Sequence, residues 1–325
     1  MMGEKLKWGL IANGAIANAF ANSIKNSKTS ELKSVFGRNK SKVEAFAKKH
    51  KIVSFNDLDS FLDSDLDAVY IATPHDSHFY YSLKCVRQNL HVLCEKPLTI
   101  NSSESMILIN EVQKRNVFLM EAFMYRCHPQ TFKVLELIEK HFLNKEVKMQ
   151  SSFGFAANVS KEHRLRNPYL AGGAILDVGC YPLSMVRLIS GRLKNLPFAD
   201  PLEIVVEGEL DETGVDAKST AKLNFSDGIS AEIQTAIQEQ YKNNLIVEAD
   251  NLRLEIPDPW HCGQFNNGKA LIKFSDKGKD EFFEITDEVG LFTREIDEVA
   301  NCIKENKFES PLMSHKDTFC LLYTS

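Results

Sequence analysis

From Lys7 to Met120 the chain alternates short apolar runs with longer charged segments in which apolar residues recur every three or four positions. Runs at 7–11, 32–36, 68–72, 91–94 and 118–120 have the length and apolar content of buried strands, and segments 15–25, 41–49, 77–87 and 103–115 have the helical period. This alternation leaves few folds open. Parallel strands cannot be joined by tight turns, so each needs a crossover helix, and helices on both faces explain why the strands are apolar throughout. A doubly wound parallel sheet is expected. Ser41 and Glu44 stand in S-x-x-E spacing and predict a capping box at the start of the second helix.

Beyond a helical stretch at 129–142 the texture changes. Alternating runs at 202–207, 217–225, 228–237 and 244–248 are separated by turn residues such as Ser226-Asp227-Gly228, the pattern of antiparallel strands. A last amphipathic helix is expected at 291–305. With 325 residues the chain exceeds what one hydrophobic core usually serves. The fold class is therefore α/β: an N-terminal doubly wound parallel sheet at 1–123, then at 124–325 an α+β domain built on an open, mainly antiparallel sheet. Ala231, Ile233 and Thr235 put an apolar stripe on one face of that sheet, which predicts cover by a second copy, in a homodimer or higher oligomer.

Charge and composition narrow the partners. A net charge of -5 with scattered Lys and Arg gives no footprint for nucleic acid or an anionic membrane. No run approaches the ~18 consecutive apolar residues of a membrane span, and residues 1–10 lack the apolar stretch and cleavage site of a secretory signal. A soluble, cytoplasmic protein is expected. The seven cysteines show neither C-x-x-C nor metal-ligand spacing, so they read as buried reduced thiols and no metal is expected.

The chemistry gathers at strand ends. The first strand runs into Leu10-Ile11-Ala12-Asn13-Gly14-Ala15-Ile16-Ala17 before a helix, the position of a G-x-G-x-x-G/A dinucleotide fingerprint. Ala12 stands at the first glycine position, Gly14 at the closest backbone approach to a pyrophosphate, and Ala17 where the helix packs on the sheet. On these residues alone the segment fits either a dinucleotide turn or a plain helix start. The second strand ends in Gly37-Arg38-Asn39, without the acid that binds the ribose 2′-hydroxyl of NAD. Arg38 can pair with a 2′-phosphate and stack on adenine, which favours NADP over NAD; the alternative is a solvated surface arginine. Thr73-Pro74-His75-Asp76-Ser77-His78 follows a later strand, and Cys94-Glu95-Lys96-Pro97 ends the next, where a proline-fixed turn aims the lysine ammonium at a ligand.

Together with Met120-Glu121-Ala122 and Ala171-Gly172-Gly173-Ala174-Ile175-Leu176-Asp177-Val178-Gly179-Cys180-Tyr181, these segments resemble the Gfo/Idh/MocA family of oxidoreductases. Within it the chain is most similar to the branch of dimeric dihydrodiol dehydrogenases and NADP-dependent D-xylose dehydrogenases. The resemblance runs in order over nearly the whole chain. It implies a Rossmann domain holding NADP through Ala12, Asn13, Gly14, Ala15, Ile16, Gly37, Arg38, Thr73, Pro74, His75, His78, Glu95 and Lys96, and a second domain for substrate binding and oligomerisation. Lys96 matches the family lysine that contacts the nicotinamide ribose and the reacting oxygen. Asp177 matches the aspartate of a family Asp/His pair, with Tyr181 in place of the histidine, as in the dihydrodiol branch. Met124, Arg126, Phe153, Arg164 and Trp260 are further substrate-site candidates; Met124 stands where relatives acting on aromatic substrates tend to carry tryptophan, which argues against a dihydrodiol. The family usually continues past 310–315 with a helix packed back on the nucleotide domain. Here the chain runs Phe319-Cys320-Leu321-Leu322-Tyr323-Thr324-Ser325, and a truncated or non-native tail is expected.

Asp177 and Tyr181 are four residues apart, so on a helix both leave the same face. A tyrosine titrates near ~10, and a neighbouring ammonium favours its phenolate, which makes Tyr181 with Lys96 a workable proton-transfer pair. In alcohol oxidation Tyr181 would take the hydroxyl proton while hydride leaves the same carbon for the nicotinamide. Asp177 would bind a substrate hydroxyl or orient the pair. The plainer readings are a core aromatic at Tyr181, a helix brace at Asp177 and sheet packing at Trp260. The expected function is an NADP-dependent oxidoreductase acting on a small polyhydroxy substrate: a sugar, polyol or cyclic diol. Two alternatives are an NAD(P)-binding regulatory or scaffold protein without turnover and an enzyme that keeps its cofactor bound and cycles two substrates. Retention of Lys96, Asp177 and Tyr181 together argues for turnover.

Overall fold

A computed structural model describes residues 4–324; Met1, Met2, Gly3 and Ser325, the extreme ends of the N-terminal segment and tail considered above, lie outside the described residues. The chain divides into two compact units, one of residues up to 127 together with 289–319 and one of 128–288 with the last few residues. The contiguous division at 123/124 does not describe this arrangement, because two C-terminal helices return to the first unit.

In the first unit β1 (Leu6–Ile11), β2 (Ser30–Phe36), β3 (Val53–Phe55), β4 (Ala68–Ile71), β5 (His91–Glu95) and β6 (Leu119–Ala122) form one parallel sheet in the order β3-β2-β1-β4-β5-β6. Helices α1 (Ala15–Ser23), α2 (Lys40–His50), α3 (Leu58–Leu62), α4 (His78–Arg87) and α5 (Ser102–Arg115) connect them. One side of the sheet buries Ile11, Val69, Ile71, Val92 and Leu119 against Cys85 and Val86 of α4 and Leu108 and Val112 of α5. On the other side Phe20 of α1 stacks on Tyr70, ring centroids 4.0 Å apart, and meets Trp8 edge-on. The expected capping box is displaced. Asn39, in extended backbone, accepts from Lys42 N at 3.1 Å, and the Ser41 hydroxyl donates to Asn39, so α2 starts one residue early and Ser41 lies inside it.

The second unit carries α6 (Pro129–His141), β7 (Lys148–Gly154), α7 (Cys180–Arg192) and strands β8 (Glu203–Leu210), β9 (Asp216–Asn224), β10 (Ser230–Ala236), β11 (Leu245–Ala249), β12 (Leu252–Ile256), β13 (Lys269–Asp276) and β14 (Lys279–Thr286). They form a sheet ordered β14-β13-β12-β11-β7-β10-β9-β8. All its pairs are antiparallel except β7 with β10, which α7, β8 and β9 separate in sequence. Asp227 (φ 63) and Gly228 (φ 72) make the tight β9–β10 turn. The helical run 168–192 is long and apolar enough to cross a membrane by composition, yet 67% of its apolar window is buried inside the protein.

That helix corrects the expected role of the apolar stripe. Ala231, Ile233 and Thr235 are buried at 5%, 8% and 5% exposure, covered by the chain's own α7 and the turn before it. The Thr235 hydroxyl donates to Ala174 O at 3.2 Å. The face left open is polar, with Glu232 and Gln234 of β10 beside Lys218 and Lys222 of β9.

Two further helices, α8 (Leu291–Lys304) and α9 (His315–Thr324), complete the first unit, the latter with its first turns. On α8 the Thr293 hydroxyl donates to Ser23 O at the end of α1, and Asp297 accepts from the Ser27 and Thr29 hydroxyls at 2.6 Å. Residues 315–324, expected to be a suspect tail, are helical and anchored. His315 Nε2 lies 3.0 Å from Leu119 O, and Asp317 pairs with Arg126 at 3.1 Å with both side chains buried.

Candidate active site

All strands of a parallel sheet end on one edge, so the loops after β1, β2, β4 and β5 gather there, around the reversal of strand order between β1 and β4. Ala12 holds φ 120, a conformation that suits glycine and strains alanine. Its N–H is bonded to Phe36 O. Gly14 starts α1 without a side-chain cap, and a Cβ there would meet nothing within 4 Å. Asn13 is half-buried; Ala15 and Ile16 are exposed. The start of α1 is therefore uncapped and has space beside Gly14, as an anion-binding helix start requires. Gly37 is buried, and a Cβ at that position would stand 3.2 Å from Val43 Cβ. Arg38 is exposed and makes no hydrogen bond or ion pair among the described residues; burial pushes the Tyr81 phenol up, and Arg38 pulls it part of the way back.

Thr73 and Pro74 are half-buried, and His75 is 6% exposed. His78, expected to line the cofactor site, is fully buried instead. Its Nδ1 lies 2.7 Å from Pro97 O and its Nε2 2.8 Å from Thr73 O, so it braces two loops from beneath. Glu95 is buried and accepts the Tyr70 hydroxyl. Lys96 is half-buried and joined to Pro97 by a cis peptide bond. Half-buried Met124 opens a short turn, Met124–Cys127, that also carries Arg126. Arg126 is a correction: at 2% exposure, it is spent on Asp317, the Tyr125 hydroxyl and Leu312 O, which leaves it inside the first unit as an anchor and not at a substrate.

In the second unit Asp177 lies in a π-helical turn, Ile175–Gly179, that runs into α7, and Tyr181 is the second residue of α7. This wider turn, of a kind that recurs at functional sites, replaces the plain helix expected between them. The two glycines before it set its approach. A Cβ on Gly172 would lie 2.7 Å from Leu165 O, and one on Gly173 (φ 119) would lie 2.0 Å from Asp216 Oδ1. Asp216 in turn accepts Ile175 N at 2.6 Å. The segment is thereby pressed onto the loop that carries Arg164, whose guanidinium meets Asp177 at 2.8 Å while staying 43% exposed. Tyr181 is 5% exposed within an aromatic cluster: its ring centroid is 5.2 Å from Phe153 and 6.0 Å from Trp260, and Phe153 stacks on Trp260 at 5.8 Å. Trp260 Nε1 donates to Ser152 O, which fixes its ring.

A family model described as an oxidoreductase family with an NAD-binding Rossmann fold matches residues 6–123, and the GFO/IDH/MocA C-terminal domain matches 132–256. The chain belongs to the Gfo/Idh/MocA oxidoreductase family. It is 28% identical over 320 residues to the trans-1,2-dihydrobenzene-1,2-diol dehydrogenase of Xenopus tropicalis, covering 96% of this chain and 93% of that one. It is also 28% identical over 264 residues to the D-xylose 1-dehydrogenase (NADP(+)) 2 of Haloferax volcanii, covering 81% and 77%. Among solved structures, the 3-ketoreductase KijD10 of Actinomadura kijaniata, in complex with NADP and TDP-benzene, superposes with a TM-score of 0.87 at 21% identity, covering 98% of this chain and 95% of that one. The aldose-aldose oxidoreductase of Caulobacter crescentus gives 0.86 at 20% identity, with the same coverage.

Three groups in this Gfo/Idh/MocA protein escaped the sequence reading. His261 packs edge-on to Phe153 and pairs with Asp258 at 3.0 Å; burial pushes the Asp258 carboxyl up, but His261 and the Gly263 N–H together more than reverse it. The i,i+3 spacing of Asp258 and His261 was the available signal. Glu121 is 1% exposed, and its Oε1 accepts Leu98 N at 2.8 Å. Burial pushes it up to about 7, helped by Asp317 and opposed by the Leu98 N–H, Thr318 and Arg126. Glu295 of α8 is fully buried with neither oxygen hydrogen-bonded among the described residues, and burial, then the Glu95 charge, holds its carboxyl well above the usual range. A glutamate on a predicted helix reads as a solvated face, so nothing in the sequence marks Glu295.

Proposed function

We propose that this protein is an NADP-dependent dehydrogenase that moves a hydride between the nicotinamide and a hydroxyl-bearing carbon of a sugar, polyol or cyclic diol. The observation that carries the reading is the edge of the parallel sheet, where an uncapped helix start over open space stands with an unpaired Arg38 and no acid beside it. These residues fit a dinucleotide with a 2′-phosphate. Backbone N–H groups at Gly14, Ala15 and Ile16 would hold the pyrophosphate, and Arg38 the 2′-phosphate; Asn13, Gly37, Thr73, Pro74, His75, Glu95 and Lys96 would complete the pocket. When bound, the nicotinamide supplies the hydride acceptor or donor.

The chain's own residues would bind and move the proton. Tyr181, in an aromatic cluster that excludes water, would accept the substrate hydroxyl proton at its phenol oxygen, and Lys96 would be the candidate lysine of the nucleotide edge. Asp177, with Arg164 bonded to one oxygen, would take a neighbouring substrate hydroxyl. Phe153, Trp260 and Met124 would supply apolar walls. The relatives named above, a diol dehydrogenase, a sugar dehydrogenase and a ketoreductase, support this substrate class. The protein would act as a homodimer or higher oligomer through the open sheet face, whose edges expose Val205 and Phe282, and its buried free cysteines fit the cytoplasm. Sizing at micromolar concentration tests the assembly.

The decisive experiment follows absorbance at 340 nm with NADP+ and NAD+ over D-xylose, D-glucose, inositols and cyclic diols. Arg38→Ala should weaken NADP+ far more than NAD+. Equal loss for both cofactors, or a wild type that prefers NAD+, refutes the cofactor assignment.

A further inference from the structure

The Pro97–Leu98 peptide group, next to the candidate lysine, is held at both of its polar ends by buried ionisable side chains. His78 Nδ1 lies 2.7 Å from Pro97 O, and Glu121 Oε1 accepts Leu98 N at 2.8 Å. His78 is 0% exposed and Glu121 1%. They come from opposite flanks, since His78 follows β4, Glu121 lies in β6, and both strands pair with β5, which ends at Glu95. Buried backbone groups always need partners, but most find them in other backbone groups. Here both ends of one peptide plane are given to side chains.

We propose that His78 and Glu121 act as a clamp on the Pro97–Leu98 peptide that positions Lys96. A peptide group is a rigid plane, so two bonds at its opposite ends fix its orientation. Between that plane and the Lys96–Pro97 peptide lie only φ and ψ of Pro97. The proline ring fixes φ, and the clamp fixes ψ. The frame from which the Lys96 side chain departs is thereby set without any contact to the ammonium. His78 Nε2, 2.8 Å from Thr73 O, extends the clamp to the loop after β4, so one imidazole ties two loops of the nucleotide edge together. Each ring nitrogen faces a carbonyl oxygen, and only the doubly protonated ring donates both bonds. The Glu121 carboxyl group, faced also by Thr318, Asp317 and Arg126, stands across the peptide from that ring.

His78 and Glu121 are positioning residues, and their role rests on the reading of Lys96 given above. The test compares Glu121→Gln, which keeps an acceptor for Leu98 N–H, with Glu121→Leu, which does not, and with His78→Leu, which frees the other end and serves if Glu121→Leu does not fold. Four quantities are read: hydrogen exchange at the Leu98 amide, NADP+ affinity by fluorescence quenching, and kcat and KM for NADP+ reduction with D-xylose. Glu121→Leu should speed Leu98 exchange at least tenfold and lower kcat at least tenfold, with NADP+ affinity and KM within threefold. His78→Leu should lower kcat equally, and Glu121→Gln should restore both quantities to within threefold of wild type. The clamp is overturned if Leu98 exchange rises while kcat holds within threefold, or if Glu121→Gln is as impaired as Glu121→Leu. Should wild type fail to oxidise D-xylose, the rate at which trinitrobenzenesulfonate modifies Lys96 replaces kcat. A fivefold change in the leucine variants but not in Glu121→Gln supports the clamp, and equal rates in all four proteins overturn it.

Discussion

Asp317→Ala should destabilise the first unit severely, because it strands a guanidinium in the interior. Arg126 and Asp317 have side chains 2% and 4% exposed and meet at 3.1 Å. Arginine cannot shed its proton to escape burial, so it keeps a full charge when its partner is removed. Breaking such a pair costs about 3–5 kcal/mol. The Tyr125 hydroxyl at 3.2 Å and Leu312 O at 3.3 Å still accept from Arg126, which places the expected loss near the lower end, about 3 kcal/mol. At ~2–4 °C per kcal/mol for a unit of this size, the melting temperature should fall by roughly 6–12 °C. Replacing both partners, Arg126→Met with Asp317→Leu, removes both charges and should recover most of the loss. Urea unfolding and thermal melts of the three proteins measure these differences. A loss below about 1 kcal/mol for Asp317→Ala, or a double variant as unstable as the single, refutes the anchor. If Arg126 served the substrate, Arg126→Met would instead raise KM and leave the melting temperature unchanged.

Tyr181→Phe keeps the ring in its aromatic cluster and removes the proton acceptor, so kcat should fall by ~10²–10⁴ with NADP+ affinity retained. Lys96→Met should do similar damage, and the double variant should be little worse than either single if the two act as a unit, whereas multiplied losses would show separate roles. Ala12→Gly relieves an alanine at φ 120 and should raise the unfolding free energy measured in urea by about 1 kcal/mol; a decrease would show that the turn carries no strain. Glu121 titrates at about 7 in the folded protein against 4.5 for the free group, so its contribution is intact below about 4.5 and lost as pH rises through 7, a fall of about 3 kcal/mol. Glu121→Gln should abolish that fall between pH 5 and pH 8 in urea titrations, and a variant with wild-type pH dependence would contradict it.

The two-unit plan was legible because it rests on local pattern. The apolar runs became β1, β2, β4, β5 and β6 almost at the expected residues, and the short β3, three residues long, was too brief to leave a period. The loops after β1, β2, β4 and β5 were correctly placed at one sheet edge, since parallel connectivity alone puts them there. Asp177, Arg164, Phe153, Tyr181 and Trp260 were chosen from the expected second domain, 124–325, and the structure places all five in the second unit, with Asp177 on Arg164 and the three aromatics in one cluster. The π turn between Asp177 and Tyr181 has no such signature, because it follows from Gly172 and Gly173 being pressed against the Arg164–Leu165 backbone and Asp216.

What the sequence determined by itself was the alternation of elements, the identity of the residues at each strand end and the absence of an acid after β2. These depend on neighbours a few positions away, whose spacing and chemistry can be read directly. What only the tertiary structure decided was which buried polar groups meet. Arg126 looked like a substrate ligand until α9 brought Asp317 to it, His78 like a site residue until Pro97 and Thr73 closed on its ring, and Ala231, Ile233 and Thr235 like an oligomer face until α7 covered them. A buried charge or hydrogen-bonding group must find its partner wherever the chain happens to return, and that pairing, set by packing over long sequence separations, leaves no periodic trace.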